Sequence, residues 1–288
     1  MEILDQLIIR LLFIIIITAI LWGYKGIHLI FYPHARSQLF KRFNTAHNEA
    51  ATIHLAGRLL GFGILFSYFD LQVEQLLLNI LDLIVLGTIA SVLYILLLYL
   101  LESITLSSFS YKQEISQKKN NSYALISFTN SVSWAIIVRA VMDTAQTSLI
   151  IMVTILPLAL IIISIISRLF STYSDLSWKK LIVIKNMAIA IYYLGYMLGS
   201  SFILYFTFRK PFQNIFLYLL GLLIDLSLIA IIFPLFNRII RFIYSLVITS
   251  HDEPPLSFGV TSMAVFLVTS ILTALIVART SFAIYIFN

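Results

Sequence analysis

Eight apolar runs of about 20 residues recur along this chain, and each is long enough to cross a hydrocarbon core of roughly 30 Å at 1.5 Å rise per residue. Lipid offers no partner to backbone N–H and C=O groups, so runs of this kind specify helices and exclude open sheets. The spans read as Ile8 to Phe31, Ala50 to Phe69, Leu76 to Leu101, Tyr123 to Met142, Leu149 to Leu169, Val183 to Phe206, Ile215 to Phe236 and Val260 to Val277. Composition agrees: 60% of the 288 residues are hydrophobic, 11% are charged and the mean hydropathy is +0.99, whereas a soluble domain carries roughly 25% charged residues. The expected fold class is all-α, a polytopic transmembrane bundle of eight spans. The first run is read as a retained span rather than a signal peptide, because Glu2 and Asp5 stand where a basic start belongs and no small-residue cleavage site follows Ile20.

Connections after odd-numbered spans are long and polar, and those after even-numbered spans, such as Asp70 to Gln75, are tight. The long ones carry Arg36, Lys41, Arg42, Lys112, Lys118, Lys119, Arg168, Lys179, Lys180, Lys185, Arg238 and Arg241. By the positive-inside rule they face the cytoplasm, and both termini face outward. The net charge of +6 therefore reflects membrane orientation, and no nucleic-acid partner is expected. Without cysteine there is no disulfide and no thiolate metal site.

Two segments repeat a spacing. N-E-A-A-T-I-H-L-A-G-R-L-L-G from Asn48 and N-M-A-I-A-I-Y-Y-L-G-Y-M-L-G from Asn186 both place Gly nine and thirteen residues after Asn, at Gly57 and Gly61 and at Gly195 and Gly199. A weaker copy starts at Asn121 and keeps a smallish Asn130 but has Trp134 at the last position; the fourth lacks Asn and is placed by topology. Four helical hairpins in two similar halves, residues 1–145 and 146–288, account for this pattern.

The stretch K-R-F-N-T-A-H-N-E-A-A-T-I-H-L-A-G-R-L-L-G from Lys41 resembles the family called domain of unknown function 350, the YjfL-like bacterial inner-membrane proteins. That resemblance implies an integral cytoplasmic-membrane protein built from two-helix units, normally two units in four spans. The matching positions are Asn48, Gly57, Gly61, Asn186, Gly195 and Gly199. It further implies an association with envelope-stress proteins or ATP-grasp enzymes. Eight spans suggest a fusion of two ordinary chains, and a homo-oligomer is a further possible assembly.

The Gly-x-x-x-Gly pairs fit close helix packing, with the lining of a pore as the sharper reading. Each motif Asn fits a helix cap, with ligand coordination as the alternative. Arg58 lies about nine residues into its span, where a charge costs roughly 3 kcal/mol on insertion scales. His54, four residues earlier, shares its face. Asp82 and Asp225 are the expected acidic partners, either in a helix-locking ion pair or along a cation or proton path. Lys25 and His28 read as interfacial anchors, Arg139 and Arg279 as headgroup contacts, and Arg209-Lys210 with Pro211 as a short exposed bend. Pro157 and Pro234 mark kinks, and Tyr192, Tyr193, Tyr196 and Tyr205 a packed, hydrogen-bonded face or else a cation-binding surface. The five histidines, His28, His34, His47, His54 and His251, include no H-E-x-x-H, and no nucleotide or nucleophile motif occurs. An enzyme is therefore not expected, nor is a cofactor.

Two roles follow. The leading one is a small-ion or polyamine channel or transporter, which predicts a water-filled cavity reaching Arg58 or either Asp. The alternative is a non-transporting scaffold recruiting partners through Lys118, Lys119, Lys179 and Lys180, which predicts charges paired inside the bundle.

Overall fold

The computed structural model describes residues 2–33, 48–69, 75–146, 148–174, 178–243 and 254–279. Among them, eight helices are long and apolar enough to span a membrane. They are α1 (Glu2–Phe31), α2 (Glu49–Phe66), α3 (Leu76–Thr105), α4 (Asn121–Ala145), α5 (Leu149–Ser174), α7 (Met187–Phe208), α8 (Ile215–Ile243) and α9 (Leu256–Arg279). A short α6 (Trp178–Val183) precedes α7, and a single π-helical stretch, Lys112–Gln117, precedes α4. His34, His47, His251, Arg36, Lys41, Arg42, Asp252 and Glu253 lie outside the described residues.

The bundle is organised by its even-numbered spans. α2 packs along α4, α4 along α7 and α7 along α9, giving a row of four helices with α1, α3, α5 and α8 set around it. Burial follows this order: 72% of the apolar window is buried in α4 and in α7, against 11% in α1 and 22% in α8, so the two central helices see protein where the outer ones see lipid. Lipid tails are as apolar as leucine, so helix association in a bilayer rests on close packing and interhelical hydrogen bonds rather than on hydrophobic burial.

The glycines supply the close packing. A Cβ on Gly57 would stand 2.6 Å from the Cα of Phe128 in α4, and one on Gly195 would stand 2.5 Å from the Cα of Met263 in α9. Both approaches are backbone to backbone. Hydrogen bonds cross the same seams. The Ser131 hydroxyl donates to the Gly57 carbonyl at 2.9 Å and lies 2.5 Å from the Tyr94 hydroxyl of α3. At the central seam Tyr193 donates to Asn130 Oδ1 at 2.7 Å, and its oxygen lies 2.8 Å from Ser167 of α5.

Asparagines cap three of the four central helices. Asn48 accepts from the Ala51 amide at 3.0 Å and Asn186 from the Ala188 amide at 2.9 Å. In α4 the cap is Asn120, not the expected Asn121: its Oδ1 accepts from the Ser122 and Tyr123 amides at 3.1 and 3.2 Å. Asn121 is the first helical residue and reaches outward to Glu49 Oε2 at 2.9 Å. Backbone geometry supports this register, since Lys119 and Lys185, each just before a cap, both adopt positive φ, 51° and 61°. Counting from Asn120 also puts small residues, Thr129 and Ser133, nine and thirteen positions on.

Each cap also donates its amide forward. Asn48 Nδ2 donates to the Ile115 carbonyl (2.9 Å), Asn120 Nδ2 to the Ile182 carbonyl (2.8 Å) and Asn186 Nδ2 to the Pro254 carbonyl (3.2 Å). Those carbonyls lie shortly before α4, α7 and α9 respectively. Asn120→Ala is expected to cost about 2 kcal/mol, from the lost cap and the lost interhelical bonds, measured by denaturant unfolding in micelles. Asn121→Ala should stay within about 0.5 kcal/mol. Equal losses would return the cap to Asn121.

Candidate functional site

The basic end of the first half holds a cluster of buried polar groups around Arg58. Its position follows from the helices. α2 enters the bundle from its Asn48 cap, so Arg58 lies level with the last third of α3, where Glu102 sits. Arg58 is 2% exposed and Glu102 7%. Arg58 Nη2 donates to both carboxylate oxygens of Glu102 at 2.8 Å.

Other side chains complete the carboxylate's shell. The Tyr32 hydroxyl donates to Glu102 Oε2, and the Ser127 hydroxyl of α4 donates to Oε1 at 2.5 Å. Arg58 Nη1 lies 3.4 Å from the Ser127 carbonyl, and the guanidinium stands 5.6 Å from the Tyr32 ring centre. Burial, then the Glu102 carboxylate, pushes the Tyr32 phenol well above its ordinary pKa, so it donates as a neutral hydroxyl.

Two histidines line the cluster. His54 Nδ1 lies 2.9 Å from Ser127 Oγ. Since the Ser127 proton is committed to Glu102, His54 Nδ1 is assigned as the donor and Nε2 as a bare acceptor. That Nε2 is buried without a hydrogen-bond partner among the described residues. His28 stacks on Tyr32 with ring centres 4.8 Å apart, and its Nδ1 lies 2.9 Å from the Tyr24 hydroxyl. Tyr111, whose phenol is also pushed up by burial, meets His54 edge-on at 5.0 Å. Charge is cancelled at the centre and the surround is neutral and aromatic.

Several sequence expectations are corrected here. Neither Asp82 nor Asp225 is the partner of Arg58. Asp82 is half-buried seven positions into α3 from the opposite end of the bundle, and among the described residues it forms no ion pair. Asp225 is 1% exposed and pairs with Lys210, which turns inward from the supposedly exposed bend. His28 is 2% exposed and bonded within the cluster, so it does not anchor at the interface; Lys25 is half-buried. Arg139 pairs with Asp143 and lies 4.9 Å from the Tyr68 ring centre instead of serving only headgroups. Asp143 also takes Arg209 Nε at 3.3 Å and the Tyr205 hydroxyl at 3.2 Å, which ties α4 to the end of α7.

In the second half His54 and Arg58 correspond, at the 138-residue offset of the motif, to Tyr192 and Tyr196. Both are buried, and Tyr196 donates to the Ile166 carbonyl at 2.8 Å. The residue facing Tyr192 is Arg241, whose Nη2 donates to the tyrosine hydroxyl at 3.0 Å. Positions at the same spacing from the two motif asparagines thus carry different polar groups. Among the described residues no group of three metal-ligating side chains occurs.

Fold and site together define a polytopic helical membrane protein in which the buried charges Arg58, Glu102 and Asp225 are paired inside the bundle. Residues 2–142, about half the chain, match the family model described as Domain of Unknown Function (DUF350), and that stretch contains every residue of the Arg58 cluster. No curated protein and no solved structure matches the chain.

Proposed function

We propose that this chain is a non-catalytic membrane scaffold that holds partners at its basic face, and that its buried charges lock helices rather than line a pore. The observation that carries this reading is the closure of the Arg58 cluster: cation and carboxylate neutralise each other at 2.8 Å with both residues almost fully buried. A permeation path needs its charged groups free to exchange partners with a passing ion. Here the Glu102 oxygens already accept from Arg58, Tyr32 and Ser127.

The second half is a diverged copy of the DUF350 unit, supported by the repeated Asn caps and by the paired Gly57 and Gly195 contacts. The bilayer is the bacterial cytoplasmic membrane, with the basic loops inside and both termini outside, by loop charge. Lys119, Lys179 and Lys180 are exposed at the basic end, where an ATP-grasp or envelope-stress protein would dock; a homo-oligomer is the other candidate assembly.

A second reading, passage of protons, small cations or polyamines, draws on one observation, the bare Nε2 of His54 beside the ion pair. Ion and spermidine flux into proteoliposomes separates the two. The scaffold predicts flux no greater than in empty vesicles, and loss of partner capture in the Lys119→Gln, Lys179→Gln, Lys180→Gln variant. Flux by the parent that disappears in a well-folded Glu102→Gln variant would sink the scaffold and install the second reading.

A further inference from the structure

The second half departs from the first at its lipid-facing side. In the first half the outer helices α1 and α3 pack against each other. Their counterparts by chain order are α5 and α8, yet α5 leans on α3 and α4 instead. A cleft of about 350 Å³ is left over α7, lined by Ile166, Leu169, Tyr196, Ser200, Leu204 and Phe233 among others. Its walls are almost wholly apolar, and Ile165 and Leu169 on its rim are exposed. At membrane depth such a cleft loses dispersion contacts unless hydrocarbon fills it.

A second feature lies at the basic end of this cleft. Tyr192 is one helical turn beyond Tyr196, and Arg241 is about two turns beyond Pro234, which also lines the cleft. Among the described residues the Arg241 guanidinium is held by neutral groups: Tyr192 at 3.0 Å, Asn237 Oδ1 at 3.3 Å, and the Phe266 ring with its centre 5.8 Å away. Among the described residues no carboxylate pairs with it. Arg238, one turn away on α8, and Arg168, beside Leu169 on α5, are exposed at the same end. The corresponding place in the first half is Glu102, already neutralised by Arg58.

We propose that this cleft seats one acyl chain of an anionic glycerophospholipid, whose phosphate is held by Arg241 with Arg168 and Arg238 beside it. Charge complementarity selects the headgroup, since a guanidinium positioned by neutral partners offers its remaining N–H donors as a fork to phosphate oxygens. Basic pockets between membrane helices take acidic headgroups by the same physics. The apolar walls select a lipid over a free phosphate.

The test uses the full chain, delipidated in detergent, titrated with phosphatidylglycerol or phosphatidylcholine and read by native mass spectrometry and thermal unfolding. Phosphatidylglycerol should be retained in preference and raise the unfolding temperature. Arg241→Gln should weaken it about fivefold, the factor expected for one basic contact. Ala230→Trp, at an exposed position on the cleft wall, should remove the preference with Arg241 intact, and it carries the test if Arg241→Gln fails to fold. Equal retention of both lipids, or an unchanged preference in a folded Arg241→Gln or Ala230→Trp protein, would overturn the proposal. So would inorganic phosphate reproducing the stabilisation, which means a free-anion site. A change of oligomeric mass in Ala230→Trp with lipid retention intact would assign the cleft to a second copy of the chain and overturn it too.

Discussion

Arg58→Met is expected to lower the unfolding free energy of the purified protein by about 3 to 5 kcal/mol, the usual loss when one member of a buried ion pair is removed. The variant leaves the Glu102 carboxylate buried with only the Tyr32 and Ser127 hydroxyls to answer it. Denaturant titration in micelles provides the measurement. Arg58→Met combined with Glu102→Met should recover most of the loss, because two apolar side chains remove both desolvation costs at once. A single-variant loss under about 1 kcal/mol, or a double variant no better than the single, would mean that the pair is solvated and exchanging. That outcome would weaken the scaffold reading directly.

The second large effect belongs to the two backbone approaches. Gly57→Ala and Gly195→Ala should each cost about 2 to 3 kcal/mol, toward the upper range for overpacking, and larger side chains more. The new Cβ meets the Cα of Phe128 or of Met263, so relief requires moving a whole helix. Gly63, in the same α2, has nothing within 4 Å of its would-be Cβ. Gly63→Ala should therefore gain up to about 1 kcal/mol from helix propensity alone. If all three alanine variants unfold alike, the tight seams are not what holds the row of central helices together.

Span number and helical class were legible because hydrocarbon length and backbone satisfaction leave few alternatives. Arg58 was legible for a related reason, since a charge nine residues into an apolar run demands a partner. Its partner is hidden by a boundary: apolar character ends at Leu101, whereas α3 continues to Thr105 and carries Glu102 inside the helix. Counting depth would have found it. Antiparallel neighbours place residues early in α2 level with residues late in α3, which excludes Asp82 and points to the acid near the helix end. The Asn121 register failed because two asparagines adjoin, and the conformation of Lys119 that settles the matter leaves no mark in side-chain chemistry. His28 departs from the interfacial expectation because closeness to a span's end does not imply exposure; Tyr24, one turn back, and Tyr32, one turn on, mark a polar interior in the sequence itself.

The asparagine clasps all point toward the C-terminus. They join residues 67, 62 and 68 apart, and in each case the donor precedes its acceptor in the chain. During synthesis, then, each cap keeps one amide proton for the next central span, even Asn120, whose Nδ2 also donates back to Glu114 at 2.8 Å, and the arrival of that span closes one clasp while presenting the following one. Bonds in this order would let insertion run as a directional sequence of latches, each newly threaded segment meeting a donor on the one before it. A nascent chain halted shortly after Asn186 would hold two closed clasps and one open amide. Such an intermediate offers an unfinished edge to quality control, or to the missing segment supplied from a separate polypeptide.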